Sequence, residues 1–277
     1  MVVQHNLTAM NSNRMLGVTT KSQAKQTEKL SSGYRINRAA DDAAGLSISE
    51  KMRRQIRGLT QASTNAQDGI SAVQTAEGAL NEVTDMLQRM NELTVKASNG
   101  TYTTAQKGYI SDEIKQLATE IDRVANNTTF NDQNLLDGSY DQKLQVGHEK
   151  DQTIGITIGD MTVDEILTGA DAKNLDWNKK TADYDTIAGF IDTIKNGLDT
   201  VAKQRSDLGA IQNRLEHTIS NLDNVVENTT AAESRVRDTD MATEMVKYSN
   251  NQILAQAGQA MLAQSNQVNQ GVLSLLQ

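Results

Sequence analysis

Few residues in this 277-residue chain could do chemistry. Three histidines, His5, His148 and His217, stand far apart, and none belongs to an H-E-x-x-H zinc motif. His148-Glu149 could form a ligand pair, or could be the polar residues of a hairpin turn, which the alternation on either side favours. Asp41-Asp42 could work as a carboxylate pair in acid–base catalysis. The competing reading is an acidic N-cap for a helix starting near Ala43, with Arg35 and Arg38 close by. Cysteine is absent, which excludes a disulfide scaffold, a Cys-ligated zinc site, an iron–sulfur cluster and a thiol nucleophile. No Gly-rich phosphate loop is present. N-x-T triplets begin at Asn6, Asn99, Asn126, Asn127 and Asn228, but such triplets arise by chance in an Asn/Thr-rich chain. The expectation is therefore a non-enzyme with no catalytic residue, cofactor or metal.

The elements that would position these residues are long helices. Proline is absent, although a frequency of roughly 5% would give about fourteen, and interior proline costs a helix ~3 kcal/mol or more. From Met52 every seventh residue reads Met52, Leu59, Ala66, Val73, Leu80, Leu87, Thr94, and a second row reads Ala62, Gly69, Ala76, Val83, Met90, Ala97. Such a/d heptads with small residues at d admit a closely packed partner helix, and Asn99-Gly100 supplies a stop. A shorter helix carries Ile110, Ile114, Leu117, Ile121 and Val124. A second long heptad runs Ile187, Ile194, Val201, Leu208, Leu215, Leu222, Thr229, Val236. Between them the period falls to two at Leu144/Val146 and at Ile154/Ile156/Ile158, which predicts a β-hairpin turning through 147–151. Met161 to Asp185 carries no readable period.

Charge is unevenly spread. The net charge of −8 disfavours nucleic acid as a partner. Mean hydropathy is −0.54, and no apolar run approaches the ~18 residues of a membrane span. The N-terminal stretch lacks the pattern of a secretory signal, so the expectation is a cytoplasmic chain or one exported without a cleaved leader. No side chain after Lys247 is charged, and none before Arg14 unless His5 is protonated. Both ends are apolar on more than one helical side, which calls for several neighbours. The ends are expected to pair and then to assemble with copies of themselves. The polymerisation residues so proposed are Val3, Leu7, Met10, Ile253, Met261, Leu262, Val268, Val272, Leu273, Leu275 and Leu276.

Residues 31–46, Ser-Ser-Gly-Tyr-Arg-Ile-Asn-Arg-Ala-Ala-Asp-Asp-Ala-Ala-Gly-Leu, resemble bacterial flagellin. The likeness continues through Asn65 to Ser71, Gln74 to Leu80, Thr129-Phe130-Asn131, Leu208 to Leu215 and Val272 to Leu276. It covers roughly residues 1–140 and 185–277. The opening Met1-Val2-Val3-Gln4-His5 differs from the family's usual Ile-Asn-x-Asn, and Gln277 stands where a basic residue is common.

The resemblance implies a mainly α protein, an elongated rod of long antiparallel helices with a small β-hairpin region. Its expected division is 1–43 and 238–277 as the two halves of an inner, tube-forming domain, 44–137 and 187–237 as rod helices, and 138–186 as hairpin and connection. It implies a structural subunit that self-assembles into the flagellar filament for motility, secreted and extracellular. Implied partners are copies of itself, the export chaperone, and the cap and hook-junction proteins. Host Toll-like receptor 5 is another, with Arg89, Leu93 and Glu113 matching the family's recognition positions and Met90-Asn91 replacing a more usual aliphatic-basic pair. Two alternatives stay open. A hook–filament junction protein would share the terminal helices but add only a single tier. An adhesin or immune-ligand module would need aromatic anchors, yet the middle of the chain offers only Tyr140, Trp177, Tyr184 and Phe190.

Overall fold

The computed structural model describes residues 6–168, 172–175, 177 and 184–274, apart from the side chains of 174 and 269–274. The protein is mainly helical, with α1 (Leu7–Ser32), α2 (Ala43–Ser98), α3 (Thr104–Asn127), α4 (Val163–Ile166), α5 (Tyr184–Arg237) and α6 (Met241–Ser274). Two small antiparallel pairs join β1 (Thr129–Phe130) to β2 (Gln133–Asn134) and β3 (Asp141–Gln145) to β4 (Thr153–Thr157). The chain forms two compact units: a heptad unit of residues 57–226, and a terminal unit of residues 1–56 with 227–277. The expected domain borders fall at helix ends, whereas these units divide within α2 and α5, each of which runs through both.

In the heptad unit, both rows predicted for α2 are buried from Leu59 onward. So are Ile187, Ile194, Val201, Leu208, Leu215 and Leu222 of α5. Thr94, the polar residue in the a row, is buried and donates its hydroxyl to the Met90 carbonyl at 2.7 Å. That intrahelical bond removes the penalty of an unpaired hydroxyl in the core. Helix α3 adds Ile110, Ile114, Ala118, Ile121 and Ala125 to the same core. A capping box starts it: the Thr103 hydroxyl accepts from the Gln106 amide while the Gln106 side chain accepts from the Thr103 amide.

The hairpin forms as predicted, pairing Leu144 with Ile154 and Lys143 with Gly155. Ile154, Ile156 and Ile158 are buried, and Leu144 and Val146 lie against the core. Its position on α2 explains two helical glycines. Asn65 Nδ2 donates to the Gln145 carbonyl at 3.0 Å. A Cβ at Gly58 would come within 2.8 Å of the His148 Cβ, and one at Gly69 would strike Leu144. Glycine in a helix interior costs about 1 kcal/mol against alanine, and here it leaves room for the hairpin to lie close.

The stretch from Met161, unreadable in sequence, proves to be an apolar plug where it is described. Met161, Val163, Ile166, Leu167, Ala172 and Trp177 are all buried, with a 3-10 turn at Ala172–Asn174. Trp177 meets Phe190 edge-on, with ring centroids 5.9 Å apart. Such short pieces are too brief to show a helical or strand period, which is why the sequence hides them.

In the terminal unit α1 and α6 pair antiparallel. Asn6 Nδ2 donates to the Ser265 carbonyl at 3.1 Å, and Asn251 Nδ2 donates to Gln26 Oε1 at 2.8 Å. Among the described side chains of α6 the covered positions are Glu244, Tyr248, Asn251, Ala255, Gly258, Leu262 and Ser265, in alternating steps of four and three. On α1 no residue is fully buried. The two connectors zip together between the helices. Gly33 caps α1 at φ +76°, a conformation glycine adopts without strain, and its carbonyl accepts from Thr239 N at 3.0 Å. The Arg35 amide donates to the Arg237 carbonyl at 2.6 Å, and the Arg237 guanidinium lies 4.7 Å from the centre of the Tyr34 ring. Arg237 Nη1 also donates to Glu50 Oε1 at 3.0 Å.

Candidate functional site

Of the residues that could do chemistry, Asp41 and Asp42 serve the fold. His217 is exposed on α5, and His5 lies outside the described residues. His148 and Glu149 sit in the hairpin turn with Nε2 and Oε1 3.6 Å apart. Among the described residues, no group of three or more His, Cys, Asp or Glu could hold a metal ion.

Asp42 acts as the expected N-cap, its Oδ1 accepting from the Gly45 amide at 2.9 Å. Asp41 does something else. It pairs with Lys25 Nζ at 2.7 Å and accepts from the amides of Asn37 and Arg38. The arginines expected beside the acidic pair go elsewhere: Arg38 to Glu28 at 2.8 Å, and Arg35 to the Val236 carbonyl at 2.6 Å. The hydrogen bond from Lys25, followed by those from the two amides, pulls the Asp41 carboxyl down from 3.8 to about 2. Asp240, which caps α6, is also held below its ordinary value, first by the Thr243 hydroxyl at 2.7 Å and then by the Thr243 and Ala242 amides.

Both folded-state pKa values are depressed, so their stabilisation is complete above the ordinary carboxylate range and is lost as pH falls from that range through the lowered folded values. The terminal unit is therefore expected to loosen between about pH 4 and pH 2. Amide protection factors in α1 and α6, which remove the intrinsic pH dependence of exchange, should fall over that window, and Asp41→Asn with Asp240→Asn should flatten the dependence. Protection factors in wild-type protein that do not change between those pH values would refute it.

The three positions that the resemblance offers to a receptor, Arg89, Leu93 and Glu113, lie on α2 and α3. Arg89 reaches Glu113 at 2.8 Å and Glu92 at 3.2 Å, and all three side chains are exposed. These carboxylates raise the arginine pKa, chiefly through the Glu113 hydrogen bond. Leu93 behaves differently from its two companions. It is 2% exposed and belongs to the core, because the core that includes α3 extends to its side of α2. A single-helix heptad places it at the flank of the seam; the third helix encloses it.

The proposed polymerisation residues divide into three groups. Val3, Leu275 and Leu276 lie outside the described residues, as do the side chains of Val272 and Leu273. Leu262 is half-buried in the register that faces α1. Leu7, Met10, Ile253, Met261 and Val268 are exposed. Val246 and Leu254 join the last three to make one stripe, 56% to 63% exposed. At ~100° per residue these five fall within about 100° of one another, on a different side of α6 from the seam with α1. An apolar stripe on a helix with no charged side chain after Lys247 is a surface built to be covered.

Residues 3–141 match the bacterial flagellin N-terminal helical region, and residues 191–276 match the bacterial flagellin C-terminal helical region. A flagellin of Halalkalibacterium halodurans is 52% identical over 277 residues, covering all of both chains. The flagellar filament 31.3 kDa core protein of Treponema maltophilum is 49% identical over 288 residues, again covering both chains completely. Among solved structures, a putative flagellar hook-associated protein from Vibrio parahaemolyticus superposes with a TM-score of 0.61 at 15% identity. That alignment covers 72% of this chain and 100% of the other, and at such identity it speaks for the fold alone.

Proposed function

We propose how this chain, which belongs to the bacterial flagellin family and is a structural subunit of the flagellar filament, holds that filament together. The uncovered α6 stripe carries the proposal: Val246, Ile253, Leu254, Met261 and Val268 are covered by terminal helices of neighbouring copies. Burying what each still exposes contributes roughly 1–2 kcal/mol, against the translational and rotational cost of joining. Heterologous contacts that do not close into a ring extend as a helix. Leu7 and Met10 of α1 add to the same contacts, and Leu262 holds α1 and α6 together within one subunit.

Electron microscopy of purified subunits added to filament seeds tests this. Filaments that lengthen for as long as subunits last are expected. A single added tier would instead mark a hook–filament junction protein. An adhesive module draws little support from the four aromatic residues named for the middle of the chain, since Tyr140, Trp177 and Phe190 are core and, of the four, Tyr184 alone is exposed. The family is a structural one, and no residue is proposed as catalytic.

An export chaperone, cap and hook-junction proteins would meet the same terminal helices, whose exposed apolar side chains need cover before assembly. Flagellin relatives build an extracellular appendage, and export without a cleaved leader is proposed for this chain. N-terminal sequencing of filament protein checks it: a start well downstream of Val2 would rule it out.

The exposed Arg89–Glu113 pair supports recognition by Toll-like receptor 5, with buried Leu93 as a support beneath the pair rather than a contact. Arg89→Glu sets three like charges together on this surface, with Glu92 and Glu113, and is expected to weaken receptor binding by the monomer about tenfold. Binding by a folded Arg89→Glu protein at wild-type strength would remove these residues from the interface.

A further inference from the structure

Methionine is the sole sulfur-containing residue of this chain, and its distribution is uneven. Of ten methionines, seven lie in the terminal unit. Met10, Met15, Met241, Met245 and Met261 there are 47% to 63% exposed. In the heptad unit, Met90 and Met161 are fully covered and Met86 packs against the core. Leucine or isoleucine would bury as much apolar surface, but a thioether can also be oxidised. Met261 sits in the middle of the open α6 stripe, and Met10 and Met15 lie beside Leu7 and Val18 on the exposed part of α1.

We propose that the terminal unit is a methionine-oxidation site that controls assembly: peroxide converts the exposed thioethers of the free subunit to sulfoxides, and the oxidised subunit cannot join a filament. A sulfur lone pair attacks one peroxide oxygen. The S–O bond forms as the O–O bond breaks, the sulfur is oxidised and the peroxide reduced, and the second oxygen departs as hydroxide, takes the proton of the transferred oxygen and becomes water. The product side chain is polar and stiffer, so it cannot fill an apolar contact between helices. The absence of cysteine removes the competing thiol, which leaves methionine as the main sink for peroxide. In the assembled filament Met10 and Met261, which the assembly reading places in the subunit contacts, are covered and protected. This inference rests on the assembly reading above.

The test uses full-length subunits, hydrogen peroxide, and untreated filament seeds. Peptide mass mapping of treated monomer should show mass increases of about 16 Da at Met10, Met15, Met241, Met245 and Met261 before Met90 or Met161. Elongation by that monomer should fall at least tenfold, and a methionine sulfoxide reductase should restore it. Filaments treated in the same way should keep Met10 and Met261 reduced. A variant with leucine at all five positions should elongate equally with and without peroxide. Oxidised wild-type monomer elongating at the untreated rate overturns the proposal, as does equal oxidation of Met90 and Met161. Loss of elongation that the reductase does not reverse overturns it too, even if the leucine variant fails to fold. Untreated subunits that never elongate would instead refute the assembly reading.

Discussion

With Ile253→Asp and Met261→Asp together, the subunit stays folded and monomeric and no longer extends seeded filaments. Both side chains are more than 60% exposed in the free chain, so the monomer gives up little packing. Aspartate is a poorer helix former than isoleucine or methionine, but only by tenths of a kcal/mol per site. The interface responds very differently. Each substitution removes an apolar contact and puts a carboxylate where water is to be expelled. No lysine or arginine follows Lys247 to pair with it. Burying an unpaired carboxylate costs several kcal/mol, so elongation should fall by at least about a hundredfold. Circular dichroism measures helix content, and electron microscopy with seeds measures elongation. Filaments of normal length would show that the α6 stripe lies outside the subunit contacts. Deleting 248–277 should also leave soluble monomer, but it removes the partner of α1 as well and so says less about the stripe.

Leu208→Ala, the second large effect, acts on the fold of the heptad unit. Leu208 is completely buried in α5 and belongs to the row that runs from Ile187 to Leu222. Losing its branched side chain forfeits transfer free energy and leaves a cavity, together about 2–5 kcal/mol. The core it faces includes Ala66, Ala76 and Val73. Small side chains cannot reach far into the gap, and two helices more than fifty residues long cannot bend locally to close it. A value in the upper half of the range, about 3–5 kcal/mol, is therefore expected. Urea unfolding of monomer should show a lower midpoint with an unchanged slope. A loss below about 1 kcal/mol would mean that this seam is loosely packed.

The long seams were legible because their period runs unbroken. From Leu59 to Ala97 and from Ile187 to Leu222, each predicted position that is apolar is buried. The hairpin and the Asp42 cap were legible for a similar reason, since both are local rules of a few residues. What the sequence concealed depends on a third body. Leu93 looks peripheral along one helix and is enclosed once α3 joins the core. The ends show apolar residues on several sides of α6, but nothing in the letters says which side α1 takes. The bonds from Asn6 to Ser265 and from Asn251 to Gln26 decide it, assigning Leu262 to the inner seam and leaving Ile253 and Met261 outside. The partner of Asp41 was hidden likewise, because Lys25 lies back along α1 and only the folded connector brings the two near.

The pairing of α1 with α6 also sets an order in time. Asn6 and Ser265 are 259 residues apart, so closing this contact in an otherwise unfolded chain would cost about 5 kcal/mol in loop entropy. Closure yields only a thin, largely polar seam in which α1 buries no residue completely. Such a seam cannot offset that cost alone. The heptad unit, with its continuous apolar core, has to form first and shorten the loop that remains. Pulse-labelled exchange during refolding should accordingly protect amides around Leu208 before those around Ala255; the reverse order would refute it. Under the assembly proposed above, a subunit cannot complete its terminal unit until nearly the whole chain is free to fold, so the surface that would join it to its neighbours arrives last.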